Sequence, residues 1–135
     1  MRVVCDTNVL ISGILFGGKP RDVLGFCSSG KLTNFTSPEL LKEIEKVLLR
    51  PKFGLTEEQG YGIIRLFRET FSVVRPESRI SVMTADPDDN RILETASTAR
   101  AEAIISGDAH LLDLVEWNGN PVYNPENFLK KFFPA

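Results

Sequence analysis

The chain has 135 residues, of which 42% are hydrophobic and 25% charged, with 18 acidic against 16 basic side chains and a net charge of −2. That size suits a single domain, residues 1–135, around one core. The charge balance excludes a strongly basic nucleic-acid coat protein, and no apolar run approaches the ~20 residues that cross a bilayer.

In chain order, residues 3–5 read as a short buried strand that ends in an acid, Asp6. Residues 9–16 are apolar and predict a short helix before Gly17-Gly18. Pro20 can open a second helix that stops near Gly30, and residues 32–35 read as a strand. Ser37-Pro38 is a helix start, a hydroxyl N-cap with proline at the first helical position, and Pro51 halts that helix after Arg50. Thr56 caps a further helix to about Phe71, followed by a strand at 72–74 and a polar loop at 75–81. Asp86-Pro87-Asp88-Asp89 opens a helix to about Arg100. Residues 103–106 predict a buried strand, Gly107 a turn, and Asp108 the cap of a helix to about Val115. Asn118-Gly119-Asn120 reads as a turn, 122–123 as a strand, and Pro125 opens a last helix.

Short strands alternating with helices imply an α/β fold with a central parallel sheet covered on both faces. In such folds ligands bind beyond the carboxyl ends of the strands, where Asp6 and Asp108 fall. The first residues do not predict a signal peptide, because Asp6, Thr7 and Asn8 interrupt any apolar stretch. Cys5 and Cys27 lack metal-type spacing and read as buried free thiols in a reducing compartment, with the cytoplasm as the default location.

The acids are the candidates for chemistry. Asp6 could cap the first helix, but Thr7 and Asn8 are better placed for that, and a carboxylate on a buried strand needs partners or a cation. Glu43 and Glu45 border the apolar stripe of their helix on opposite sides, and periodicity does not choose between them. Glu39 and Glu43 form a like-charge i,i+4 pair that Lys42 and Lys46 could relieve. Asp86, Asp88 and Asp89 exceed what one helix cap needs, and Asp108 could be a cap alone. Hard oxygen ligands of this kind suit Mg²⁺ or Mn²⁺. An acidic site of this sort takes up phosphate through its cations, so the net negative charge does not exclude a nuclease.

The stretches "VVCDTNVLISG", "TSPELLKEIEKVL", "DPDDNRILETA" and "AIISGDAHLL", in that order, resemble the PIN-domain family of metal-dependent ribonucleases, most of all the branch that serves as toxins of toxin–antitoxin pairs. The resemblance covers nearly the whole chain and implies a PIN-like three-layer α/β/α fold. It implies that Asp6, Glu43, Asp89 and Asp108 are the catalytic and metal-holding acids, choosing Glu43 over Glu45 and Asp89 over its neighbours. Thr7, Asn8 and Ser106 match the polar positions that support such a site. The implied activity is metal-assisted hydrolysis of RNA phosphodiesters by one or two Mg²⁺ or Mn²⁺ ions. The implied partners are an RNA substrate, an antitoxin protein and a second copy of the chain.

Arg50, Lys52 and Arg91 are candidate RNA contacts, with Arg75 and Arg79 as further cations, against the default of scattered surface charge. His110 reads as a surface or capping residue, and Phe67, Phe71, Phe132 and Phe133 as core or contact surface. Two other readings compete. A phosphatase with Asp6 as nucleophile would want a second acid where Asn8 stands. A non-catalytic PIN-like RNA-binding or assembly module would not need all four acids.

Overall fold

The side chains of Val3, Val4 and Cys5 are buried, and the strand they form, β1 (Arg2–Cys5), runs through the middle of a six-stranded sheet. The computed structural model describes residues 1–83 and 85–135. After β1 come α1 (Thr7–Leu15), α2 (Gly18–Ser28), β2 (Thr33–Thr36) and α3 (Pro38–Leu48). A single 3-10 turn (Pro51–Phe53), α4 (Glu57–Thr70), β3 (Ser72–Val73), α5 (Asp89–Ala99) and β4 (Ala103–Ile105) follow. The chain closes with α6 (Ala109–Leu112), β5 (Glu116–Trp117), β6 (Asn120–Tyr123) and α7 (Pro125–Phe132).

The strand order is β3-β2-β1-β4-β6-β5, parallel throughout except for the β5–β6 pair. From β1 the chain steps outward to β2 and β3, then returns to β4 on the other side of β1. The order therefore reverses between β1 and β4, and a crevice opens past their carboxyl ends. The amide of Asp6 donates to the Ile105 carbonyl at 2.8 Å and ties those two ends together. On the other flank β2 diverges from β1. Their register stops at Val3 opposite Asn34, and the Asn34 side chain takes over, accepting from the Cys5 amide at 2.8 Å.

Two apolar layers sandwich the sheet. Val3, Cys5, Ile44, Phe67 and Phe128 belong to the layer that α1, α2, α3, α4 and α7 cover. Val4, Ile92, Leu93, Ile104 and Leu111 belong to the layer beneath α5 and α6. This is the three-layer α/β/α arrangement. Phe67 and Phe71 stack within the core at 5.0 Å between centroids, and Phe133 stacks on Phe26 at 4.0 Å.

Local capping chemistry explains the helix starts. Ser37 Oγ accepts from the Leu40 amide and Pro38 occupies the first turn of α3, while Thr56 and Gln59 form a reciprocal capping box on α4. Four expectations need correction. The first helix starts at Thr7 rather than Val9, and Asp6 itself caps it by accepting from the Asn8 amide at 3.3 Å, because its backbone leaves β1 extended. The helix after Asp108 is a single turn that ends at Leu112, and the residues beyond it form the antiparallel strand β5. Asn118 and Gly119, at φ 50° and 81°, are the two-residue turn of the β5–β6 hairpin, so Asn120 already belongs to β6. Finally, Glu39 is relieved not by Lys42 or Lys46 but by Arg79, whose guanidinium reaches it from the 75–83 segment at 2.9 Å.

Candidate metal centre

Asp6 leaves β1, Asp108 follows β4 three residues beyond its last residue, and Asp89 stands in the first turn of α5. One carboxylate oxygen from each lies within 4.8 Å of the other two. Asp6 and Asp89 are buried and Asp108 is half-buried. Three carboxylates this close repel one another and lose hydration, which a hard divalent cation would offset.

Each acid is held differently. Asp6 Oδ2 accepts from the buried Ser106 hydroxyl at 2.7 Å, and Oδ1 accepts from Thr7 Oγ1 at 3.2 Å and from the Asn8 amide. Ser106 Oγ in turn accepts from the Asp108 amide at 2.9 Å. Asp108 Oδ1 accepts from the His110 amide at 2.7 Å, so it is both a helix cap and a member of the cluster. Asp89 Oδ2, by contrast, is buried with no hydrogen-bond partner among the described residues. A buried acceptor left unpaired is unfavourable, and here it belongs to an acid aimed among other acids. The donor set therefore fits a divalent cation.

The electrostatics agree. Burial, then the Asp108 and Asp6 carboxylates, push Asp89 up to about 7. Burial also raises Asp6, against the lowering effect of the hydrogen bonds from Ser106, Asn8 and Thr7. Glu43 lies outside the 4.8 Å triad yet within its field: burial, then Asp88 and Asp6, push it to about 7, while Arg50 pulls it down. Glu43 lines a groove of about 510 Å³ together with Lys42, Lys46, Asp88 and Arg91.

Among the polar candidates, Ser106 and Thr7 touch Asp6 through their side chains, whereas Asn8 touches it through its backbone and leaves its own side chain exposed. Lys52 lies over the Phe53 ring rather than at the acids. Cys5 and Cys27 are buried free thiols pushed upward by burial, Cys27 to about 11, so both pack rather than react.

Sequence reading missed Glu94. This buried acid accepts from the Ile80 amide at 2.8 Å and pairs with Arg91 at 2.9 Å and Arg79 at 3.5 Å. Asn90 clamps Met83 through both its amide and its carbonyl, and Thr98 accepts from Glu77. The side chains of 90, 94 and 98, one turn apart on α5, thus staple the 75–83 segment that leads into the acidic loop. The Asn90, Glu94, Thr98 spacing of four was the available signal.

The fold and this cluster together define a class: an α/β protein with an acidic, cation-receptive pocket at the carboxyl edge of a mainly parallel sheet. Within that class the chain belongs to the PIN-domain family, whose family model matches residues 2–110 and so takes in all four acids. PIN domains are generally nucleases and typically use divalent metals. The chain is also 31% identical to the uncharacterised protein MJ1680 of Methanocaldococcus jannaschii over 144 aligned positions, covering 98% of this chain and 92% of that protein. No helix among the described residues is long and apolar enough to cross a membrane.

Proposed function

We propose that this chain is a divalent-metal-dependent endoribonuclease and acts as the toxin of a toxin–antitoxin pair. The observation that carries the nuclease reading is the triad of Asp6, Asp89 and Asp108 with its unpaired buried oxygen on Asp89. In this reading those three acids hold Mg²⁺ or Mn²⁺, with Glu43 joining directly or through water. The cation, when bound, supplies a water of lowered pKa and neutralises phosphate charge.

The chain's own residues do the rest. Ser106 and Thr7 hold the Asp6 carboxylate in one orientation, and the Asp108 amide fixes Ser106 in turn. Burial and the Asp88 and Asp6 carboxylates raise the Glu43 carboxyl in the metal-free protein, and a bound cation would draw it toward its ionised form. Arg50, Lys52 and Arg91 contact phosphates of the RNA strand. The products are a 5′-phosphate and a 3′-hydroxyl. The protein works in the cytoplasm as a homodimer, neutralised by a partner protein.

The test is cleavage of single-stranded RNA with Mn²⁺ or Mg²⁺, with and without EDTA, for wild type and Asp6→Asn. Cleavage by wild type alone, and only with metal, is expected. Equal cleavage in every arm, or none in any, would sink the nuclease reading. A small neighbouring reading frame for a DNA-binding protein supports the toxin reading, and its absence counts against it.

A further inference from the structure

Asn8, Ser12 and Phe16 follow one another at intervals of four along α1 and its C-cap, so they share the solvent-facing side of that helix. The stripe begins at the acidic pocket. A groove of about 250 Å³ is lined by Asp108, Gly107, Asn8, Ser12 and Pro20. Phe16 lies ~12 Å along the helix axis from Asn8, a reach of a few nucleotides.

Phe16 is 70% exposed. A single exposed apolar side chain needs no explanation. Its surroundings set this one apart. Phe16 and Phe53 meet with centroids 6.1 Å apart, planes tilted by 51°. Lys52 Nζ stands 5.0 Å from the Phe53 centroid. At the end of α1, Arg21 donates to the carbonyls of Gly13 and Ile14 at 2.9 and 3.2 Å, and its guanidinium lies against Gly17. Arg21 thereby offsets the negative end of α1. In a chain of net charge −2, an exposed ring, Phe16, backed by the half-buried Phe53 and with a lysine and an arginine beside the pair, is a local reversal of sign.

From this we infer that Phe16 and Phe53 form a stacking platform for a base of a single-stranded RNA whose backbone reaches the acidic pocket along α1, with Arg21 and Lys52 receiving its phosphates. This rests on the reading of the protein as a ribonuclease. Aromatic faces accept any base, and lysine and arginine track the backbone, so the site favours single strands without fixing their sequence. It also confines the substrate, because a base inside a duplex is not free to stack on a protein ring.

The experiment is binding of a short single-stranded RNA that contains 2-aminopurine, in EDTA so that no strand is cut. Wild type is compared with Phe16→Ala, Phe16→Tyr, Lys52→Ala and Phe132→Ala, the last an exposed ring on α7. Phe16→Ala is expected to weaken binding about tenfold, equivalent to ~1.4 kcal/mol and within the range for stacking of one base, and to abolish the 2-aminopurine quenching. Phe16→Tyr restores both, Phe132→Ala binds as wild type does, and Lys52→Ala lowers the salt slope by about one. Unchanged binding and quenching in Phe16→Ala overturn the platform, as does a wild type that binds no single-stranded RNA. A Phe16→Ala protein that loses self-association while it keeps RNA makes the ring a protein contact instead and also overturns it. Cleavage in Mn²⁺ by wild type and Asp6→Asn is read separately. The ribonuclease reading fails if wild type does not cut, whereas the platform fails if wild type cuts and Phe16→Ala binds and cuts equally well.

Discussion

Ser106 and Asp6 are separated by 100 residues, yet the serine hydroxyl lies 2.7 Å from Asp6 Oδ2, and its oxygen also receives the amide of Asp108. One fully buried side chain thus couples the acid leaving β1 to the acid leaving β4. Ser106→Ala removes both bonds. Asp6, already raised by burial, loses the strongest influence that holds it down and rises further. Metal affinity is expected to fall about 10- to 100-fold, as for loss of a ligand's supporting partner. A Mn²⁺ titration by calorimetry checks this, and affinity within twofold of wild type would show that Ser106 does not orient the site.

The pH dependence of stability follows from Asp89 and Glu43, each pushed up to about 7, by burial first and neighbouring carboxylates second. In the unfolded chain such groups titrate near pH ~4. A folded pKa above the unfolded one means that the folded state binds the proton more tightly. The stability contributed by these groups is therefore fully present below ~4 and is lost as pH rises to about 7. Metal-free protein is expected to melt at a lower temperature at pH 8 than at pH 5. Mn²⁺ binds the ionised acids and flattens or reverses that trend. Thermal melts across this range in EDTA and in Mn²⁺ check it, and a metal-free melting temperature that climbs from pH 5 to 8 would contradict the clustering.

Asp89→Asn separates function from stability. The substitution removes a charge from among Asp6, Asp86 and Asp108 at a buried position. Metal-free protein is expected to gain about 1–2 kcal/mol, a gain typical of relieving strain at a functional site. The proposed nuclease activity is expected to fall to background. Asp88→Asn, at an exposed position, changes stability little. Urea unfolding in EDTA measures both, and a destabilised Asp89→Asn would mean that its charge is compensated by a partner the cluster does not include.

The Glu94 network makes a prediction of the opposite sign. Glu94→Ala strands the Arg91 guanidinium and the Ile80 amide together, and breaking a buried pair on one side is expected to cost about 3–5 kcal/mol. Arg79→Ala changes little, because that guanidinium is exposed and screened. Urea unfolding compares the two, and limited proteolysis in the 75–83 segment should quicken in Glu94→Ala alone.

What the sequence disclosed depended on how local the physics is. The starts of α3 and α4 were legible because Ser37-Pro38 and Thr56 act on amides within three residues. The convergence of Asp6, Asp89 and Asp108 was legible only as strand ends and a helix start, since the sheet order that brings them together rests on pairing between distant segments. Glu43 and Glu45 could not be separated by periodicity, because the field of Asp88 and Asp6 that acts on Glu43 comes from other elements. Asp6 was taken as a pocket acid in place of a cap, and it is both. Glu94 was invisible because a buried acid on a helix looks like any exposed glutamate until the segment it anchors is in view. β5 was missed because two residues carry no alternation, and because the bend that sends the chain into it occurs at a residue type that disfavours it.

That residue is Val115, at φ 63°. A β-branched side chain in the left-handed region is strained by ~1–2 kcal/mol. The surrounding bonds hold it there: its amide donates to the Leu112 carbonyl at 3.1 Å and its carbonyl accepts from the Val122 amide at 2.9 Å. The side chain itself is 71% exposed, so little packing offsets the strain. Three residues on, the same hairpin places Asn118 at φ 50°, where asparagine is tolerated. Val115→Asn is therefore expected to keep both backbone bonds, relieve the strain and raise stability by about 1 kcal/mol, or roughly 3–5 °C in melting temperature. Val115→Gly relieves the same strain but gains less, because glycine also loosens the unfolded chain. Melting curves of the two variants order them. If Val115→Asn melts below wild type, the exposed valine is making contacts that outweigh its backbone strain.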